Sequence, residues 1–231
     1  MSPPGLLVLT DRRAAEDAGG DLVDVAAAAV GAGAPAVVLR EKDLPPPERL
    51  AIARRLRTIT ASAGAALVVA SDVALAREVG ADGVHLAARD PWPEPAGSGR
   101  PLRVGRSCHS VGDLLAVAAG GGDYATFSPV FATASKPGYG PALGLDGLRA
   151  GCRAVARTGA ELAVYALGGV GPGRAADCLA AGAAGVAVLG AVMRAPDPAA
   201  AVRALLAELN TQTGRSTTAY DRTATTRTVL G

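Results

Sequence analysis

Two short segments combine residue types able to bind and move charge. Arg40-Glu41-Lys42 sets two cations around a carboxylate directly after an apolar run. In Ser107-Cys108-His109-Ser110 an imidazole, the side chain that titrates nearest neutral pH, stands among hydroxyls and a thiol. His109 is therefore a candidate proton carrier, and Arg40 and Lys42 are two basic groups able to face an anion. The second histidine, His85, lies inside an apolar run and reads as a core residue with its hydrogen bonds satisfied. Glycines follow two further apolar runs, at Gly168-Gly169 and at Gly190, and bare backbone N–H groups of that kind suit a phosphate. Ser107 adds a hydroxyl. The segment carrying Thr133, Ser135 and Lys136, flanked by Gly and Pro, fits a loop that closes over an anionic substrate. These groups together predict a ligand that carries phosphate.

Such residues converge only if the chain brings the ends of many strands to one place. Eight apolar runs, starting at Leu6, Ala36, Ala66, Gly83, Leu102, Tyr124, Leu162 and Gly185, alternate with stretches of helical periodicity at about 21–31, 46–62, 72–79, 110–119, 145–159, 172–181 and 197–210. The link from Asp90 to Pro101 is too rich in Pro and Gly for a full helix. Turns such as Gly80-Ala81-Asp82-Gly83 and Gly182-Ala183-Ala184-Gly185 end a helix and drop straight into the next strand. Runs apolar on both faces and regularly separated by helices predict a parallel sheet, and eight of them predict a single (β/α)8 TIM barrel, an α/β fold, over residues 5–210. No GxGxxG follows the first run, which weakens a dinucleotide-binding alternative. Residues 211–231, rich in Thr, Ser and Arg, read as a flexible tail. In a barrel of this class the site lies at the carboxyl ends of the strands, where the residues named above fall.

Composition narrows the partners. Of 231 residues only 3% are aromatic and the formal charge is +2, which leaves little for base stacking, a nucleic-acid track or an interfacial aromatic belt. No apolar run reaches the roughly 18 residues that span a bilayer. Met1 to Gly5 has no basic region and no cleavage signal, so a cytoplasmic protein is the expectation; no nucleic-acid or membrane partner is expected, and a homo-oligomer is. Cys108, Cys152 and Cys178 are widely spaced and odd in number, as plain buried thiols are.

Val38-Leu39-Arg40-Glu41-Lys42, Gly80 to Leu86, Gly105 to Ser110, Ser128 to Lys136, Ala166 to Val170 and Gly182 to Val188 together resemble the thiamine phosphate synthase/TenI family, in order and over about residues 5–207. The resemblance implies one of two activities on a thiazole phosphate. Synthases join it to hydroxymethylpyrimidine diphosphate with Mg²⁺ on the leaving pyrophosphate; TenI-type tautomerases aromatise the thiazole without a metal. Thr133, Ser135 and Lys136 match the synthase Thr-x-Thr-Lys loop with Ser in one place, and Gly168-Gly169 matches the phosphate turn. Gly190 stands where synthases often carry Ser.

The pyrimidine half departs from the synthase pattern. Val38 replaces a Gln, the Asn-Asp pair after the third strand becomes Ala70-Ser71, and Gly-Gln-x-Asp after the fourth becomes Ala87-Ala88-Arg89-Asp90. Asp90 is then the one remaining Mg²⁺ ligand, needed only if the protein is a synthase, and Arg89 beside it is expected to form a salt bridge. Asp72 is a poor substitute because Val73 to Ala76 already reads as helix. These departures favour a cofactor-free TenI-like tautomerase, with the Mg-dependent synthase and a non-catalytic thiazole-phosphate binder as alternatives. The tautomerase histidine after the sixth strand corresponds to Pro129, so the resemblance implies His109 or Lys42 as the acid or base, with Arg40 facing the thiazole carboxylate.

Overall fold

The structure, a computed structural model, describes residues 5–93, 101–133 and 142–213. It is the predicted barrel. Eight parallel strands close in sequence order: β1 (Leu6–Leu9), β2 (Ala36–Leu39), β3 (Ala66–Ala70), β4 (Gly83–Leu86), β5 (Arg103–Cys108), β6 (Tyr124–Phe127), β7 (Ala163–Leu167) and β8 (Gly185–Val188), with β8 pairing back to β1. Around them lie α1 (Arg12–Asp17), α2 (Leu22–Gly31), α3 (Pro46–Ser62), α4 (Val73–Glu78), α5 (Val111–Ala119), α6 (Gly144–Arg157), α7 (Ala175–Ala180), α8 (Gly190–Met193) and α9 (Pro198–Thr213).

Strand residues alternate between two apolar environments, as they must when both faces are covered. Leu7, Leu9, Val38, Val68, Tyr165 and Ala187 fill the inside, while Leu6, Val8, Val37, Leu67 and Val186 pack under the helices. The barrel floor is aromatic: the Tyr124 ring meets Tyr165 edge-on at 5.6 Å and stacks beside His85 at 5.5 Å. Gly105 makes this possible, because a Cβ there would lie 2.0 Å from the Tyr124 ring.

Helix starts follow local chemistry. Asp11, Asp21, Asp72 and Ser110 each accept a backbone N–H of the helix they precede, and Ser110 with Asp113 completes a capping box. One buried ion pair ties the amino-terminal side of the barrel: Asp82 Oδ2 accepts the Leu67 N–H at 2.9 Å and Arg57 Nη1 at 2.7 Å. The three cysteines are free, Cys108 and Cys178 buried and Cys152 half-buried, as expected.

Three boundaries differ from the sequence reading. β5 runs on to Cys108, so Ser107 is a strand residue pointing into the barrel. The polar Arg103, Arg106 and Ser107 hide it from a search for apolar runs. α1 and α8 were not expected. α9 continues to Thr213, which takes the first residues of the predicted tail into a helix; the remainder of that tail lies outside the described residues.

Candidate active site

At the carboxyl end of β7 the chain turns through Gly168 (φ +94°) and Gly169 (φ +65°). All three carbonyls of the turn are used: Leu167 accepts Val130 N–H at 2.8 Å, Gly168 accepts Phe131 N–H at 2.9 Å, and Gly169 accepts Arg174 Nη1 at 2.8 Å. Arg174 also covers the Phe131 ring at 4.7 Å. With two of the carbonyls turned to the loop after β6 and the third to Arg174, no acceptor among the described residues takes the N–H groups of Gly168, Gly169 or, across the β8 turn, Gly190. The glycines themselves are required by the protein. A Cβ on Gly168 would meet Pro129 Cα at 2.8 Å, and one on Gly169 would meet the Ala132 oxygen at 2.6 Å. Glycine here therefore lets the β6 loop lie on the turn, rather than clearing a path for a ligand as the sequence suggested; the amides are the groups left over for an anion. The N-terminus of α7 is not an alternative, since Glu208 on α9 accepts the N–H groups of Gly173, Ala175 and Ala176.

The loop after β6 is clasped at its base, with Leu143 N–H on the Pro129 carbonyl and Gly144 N–H on that of Val130. The Ser128–Pro129 bond is cis. Thr133 is the last residue described on its first limb; Ser135 and Lys136 lie outside the described residues.

Four strands away around the closed ring, the ends of β2, β3 and β4 carry charge. Thr10 organises the first of them: its hydroxyl donates to Glu41 Oε1 at 2.8 Å and accepts Arg40 N–H, and its carbonyl accepts Arg40 Nη1. Glu41, buried, also accepts the Arg12 N–H. The exposed Lys42 is thus displayed beyond a fixed Glu41, and its Nζ donates to Ser71 Oγ at 2.5 Å. Ser71 holds a left-handed backbone (φ +58°), a costly choice for a residue that is not glycine. Its N–H donates to the His85 carbonyl and its hydroxyl to Asp90 Oδ2. Asp90 accepts the Ala87 N–H on the same oxygen at 2.7 Å. Partial burial opposes ionisation of Asp90, but the Ser71 and Ala87 hydrogen bonds and the charges of Lys42 and Arg106 outweigh it and hold its carboxyl below the usual range. Arg106 fastens the first residues of the loop, donating to the carbonyls of Ala88 at 2.8 Å and Asp90 at 2.7 Å and stacking on Trp92.

Inside the barrel His85 is satisfied as expected, with Tyr124 Oη at 3.1 Å and Ser107 Oγ at 3.0 Å on its two nitrogens. Burial, reinforced by Lys42, Arg40 and Arg106, lowers its pKa to about 3, so it is a neutral ring at physiological pH. Ser107 is thereby engaged with His85. His109 sits just before α5 with Nδ1 2.9 Å from the Ser128 carbonyl, an oxygen that can only accept, so Nδ1 donates there.

The expected Arg89–Asp90 salt bridge is not formed among the described residues; the turn presents Asp90 to Ser71 and Ala87 instead. Asp72 is committed, as its helix reading implied, to capping α4 and to Arg49 at 3.1 Å. Sequence reasoning gave no site role to Thr10, Glu41, Ser71, Arg106 or Arg174. Of these only Thr10 and Glu41, polar residues at strand ends, carried a signal of their own.

The residues do not fit a protein-held Mg²⁺. That ion demands near-octahedral oxygen ligands, including a carboxylate free to coordinate. Here one oxygen of Asp90 is occupied twice over, its neighbour after β3 is a hydroxyl already donating to it, and an ammonium rests on that hydroxyl. No group of three His, Cys, Asp or Glu side chains among the described residues is placed to hold a metal. Among the same residues no helix is long and apolar enough to cross a membrane.

The chain is thus of the closed parallel (β/α)8 barrel class, with amides that find no acceptor among the described residues and basic side chains at its carboxyl mouth. Residues 6–192 match the family model described as thiamine monophosphate synthase. A thiamine-phosphate synthase of Roseiflexus castenholzii is 40% identical over 203 residues, covering 86% of this chain and 85% of its own. One of Methanoregula boonei is 36% identical over 208 residues, covering 89% and 93%. Among solved structures, the thiamine phosphate pyrophosphorylase from Pyrococcus furiosus superposes with a TM-score of 0.75 at 30% identity over 90% of this chain and 96% of that one. The chain belongs to the thiamine monophosphate synthase family.

Proposed function

We propose that the protein is a thiamine-phosphate synthase, a transferase that joins hydroxymethylpyrimidine diphosphate to a thiazole phosphate. One observation carries this: the β7–β8 amides and the basic side chains of the β2–β4 ends lie on opposite sides of the mouth, two places suited to an anion. A condensation of two phosphorylated substrates needs both, whereas an isomerase needs one. In the reaction the thiazole nitrogen lone pair forms a C–N bond to the pyrimidine methylene carbon. The C–O bond to the diphosphate breaks and its electron pair leaves with pyrophosphate. Gly168, Gly169 and Gly190 amides, with Thr133, Ser135 and Lys136, hold the thiazole phosphate; Arg40 and Lys42 face the diphosphate. The names of the relatives support this reading over the tautomerase that the altered pyrimidine half favoured.

One feature favours the isomerase as a second reading: an imidazole, His109, stands near the strand ends with Nδ1 on the Ser128 carbonyl. Supplying the purified chain with both substrates and measuring pyrophosphate and thiamine phosphate tests the proposal. Equal yields of the two are expected. Aromatisation of the thiazole tautomer with no pyrophosphate released would overturn it in favour of the isomerase.

A further inference from the structure

The chain Lys42 Nζ–H to Ser71 Oγ, Ser71 O–H to Asp90 Oδ2, is a bridged ion pair whose direction is fixed, because a carboxylate only accepts and an ammonium only donates. Ser71 is pinned for this role. Its N–H is held by β4, and on either side of it Arg49 takes the Ala70 carbonyl and the Asp72 carboxylate. A divalent cation placed on Asp90 would have to share that carboxylate with the hydroxyl and stand beside a like charge, which is repulsive. An ammonium and a guanidinium, those of Lys42 and Arg40, stand at the same strand end and suit phosphate oxygens.

We propose that the β2–β4 rim is a metal-free diphosphate subsite, in which the Lys42 ammonium, oriented by Ser71 and Asp90, faces the charge that a divalent ion would otherwise neutralise. The inference rests on the synthase reading and adds to it how the leaving group is stabilised. As the C–O bond breaks, the electron pair arrives on a diphosphate oxygen directed at Lys42, and no metal is required for balance. Ser71 and Asp90 are positioning residues.

Calorimetric titration of the full chain with inorganic pyrophosphate, in EDTA and in Mg²⁺, reads this directly, with Mn²⁺ binding to the protein alone followed by water-proton relaxation. Pyrophosphate affinity is expected to agree within about twofold in the two conditions and Mn²⁺ to stay free. Lys42→Ala, at an exposed position, should weaken pyrophosphate at least tenfold while Lys42→Arg keeps most of the affinity. Ser71→Asp, a residue type that tolerates the left-handed backbone, should gain Mn²⁺ binding and make pyrophosphate affinity Mg²⁺-dependent. Wild-type affinity at least tenfold tighter in Mg²⁺ than in EDTA would overturn the metal-free subsite and leave the synthase reading intact. Thiazole phosphate binding with no pyrophosphate binding in either condition would instead remove the synthase reading, and the inference with it.

Discussion

Gly169→Ala tests whether the β7 turn is built as described. A left-handed backbone at φ +65° costs alanine about 1–2 kcal/mol relative to glycine. The new methyl would also lie 2.6 Å from the Ala132 oxygen and 2.7 Å from Phe131 Cβ, closer than real contacts allow, so the β6 loop must back away. That displacement breaks the Phe131 N–H bond to the Gly168 carbonyl and loosens Arg174 from the Gly169 carbonyl, each contributing about 1 kcal/mol. The loss totals about 3–4 kcal/mol, and at roughly 2–4 °C per kcal/mol for a chain of this size the melting temperature falls by about 10 °C. Scanning calorimetry measures it. The same turn aims the amides, so thiazole phosphate affinity should drop at least tenfold, whereas pyrophosphate affinity, placed across the mouth, should hold. A melting temperature within about 2 °C of wild type, with unchanged affinity for thiazole phosphate, would refute the account of the turn.

Asp82→Ala strips the acceptor from the buried Leu67 N–H and from Arg57, and urea unfolding should show a loss of about 3 kcal/mol, the lower end for breaking a buried pair. His85 supplies a pH signature: its pKa is about 3 in the fold against 6.5 for an unperturbed histidine, so protonation favours the unfolded chain. The stability this gives is fully present above pH 6.5 and drains away as pH falls towards 3, reaching about 2 kcal/mol lost near pH 5. His85→Gln, which cannot take the proton, should flatten that slope in urea melts across the same window; an equal slope in both proteins would contradict the burial argument. Burial also pushes the thiols of Cys108 and Cys178 up to about 12 and that of Cys152 to about 11. A thiol reagent at about pH 8 should accordingly react slowly with all three until denaturant is added; fast labelling of the native chain would show that the thiols are not so shielded.

The barrel was legible because its signals are local. The runs at Leu6, Ala36, Gly83 and Tyr124 coincide with β1, β2, β4 and β6, since each is a short apolar stretch between helix-ending turns. β5 was cut short because Arg106 and Ser107 serve the loop and the interior histidine instead of the core. The site was legible by type more than by arrangement. Lys42 and Asp90 were picked out, yet the residue that joins them, Ser71, looked like the loss of a ligand, because hydrogen bonds across 29 and 19 residues leave no trace in spacing. The glycine turn was located correctly, while the reason for its glycines lay in Pro129 and Phe131, neighbours that only the folded chain reveals.

The tyrosine that occupies the space above Gly105 has one more effect. With Tyr124 and Tyr165 crossing the interior, the barrel is a cul-de-sac, not a conduit. Whatever enters between the strand ends departs by the same doorway.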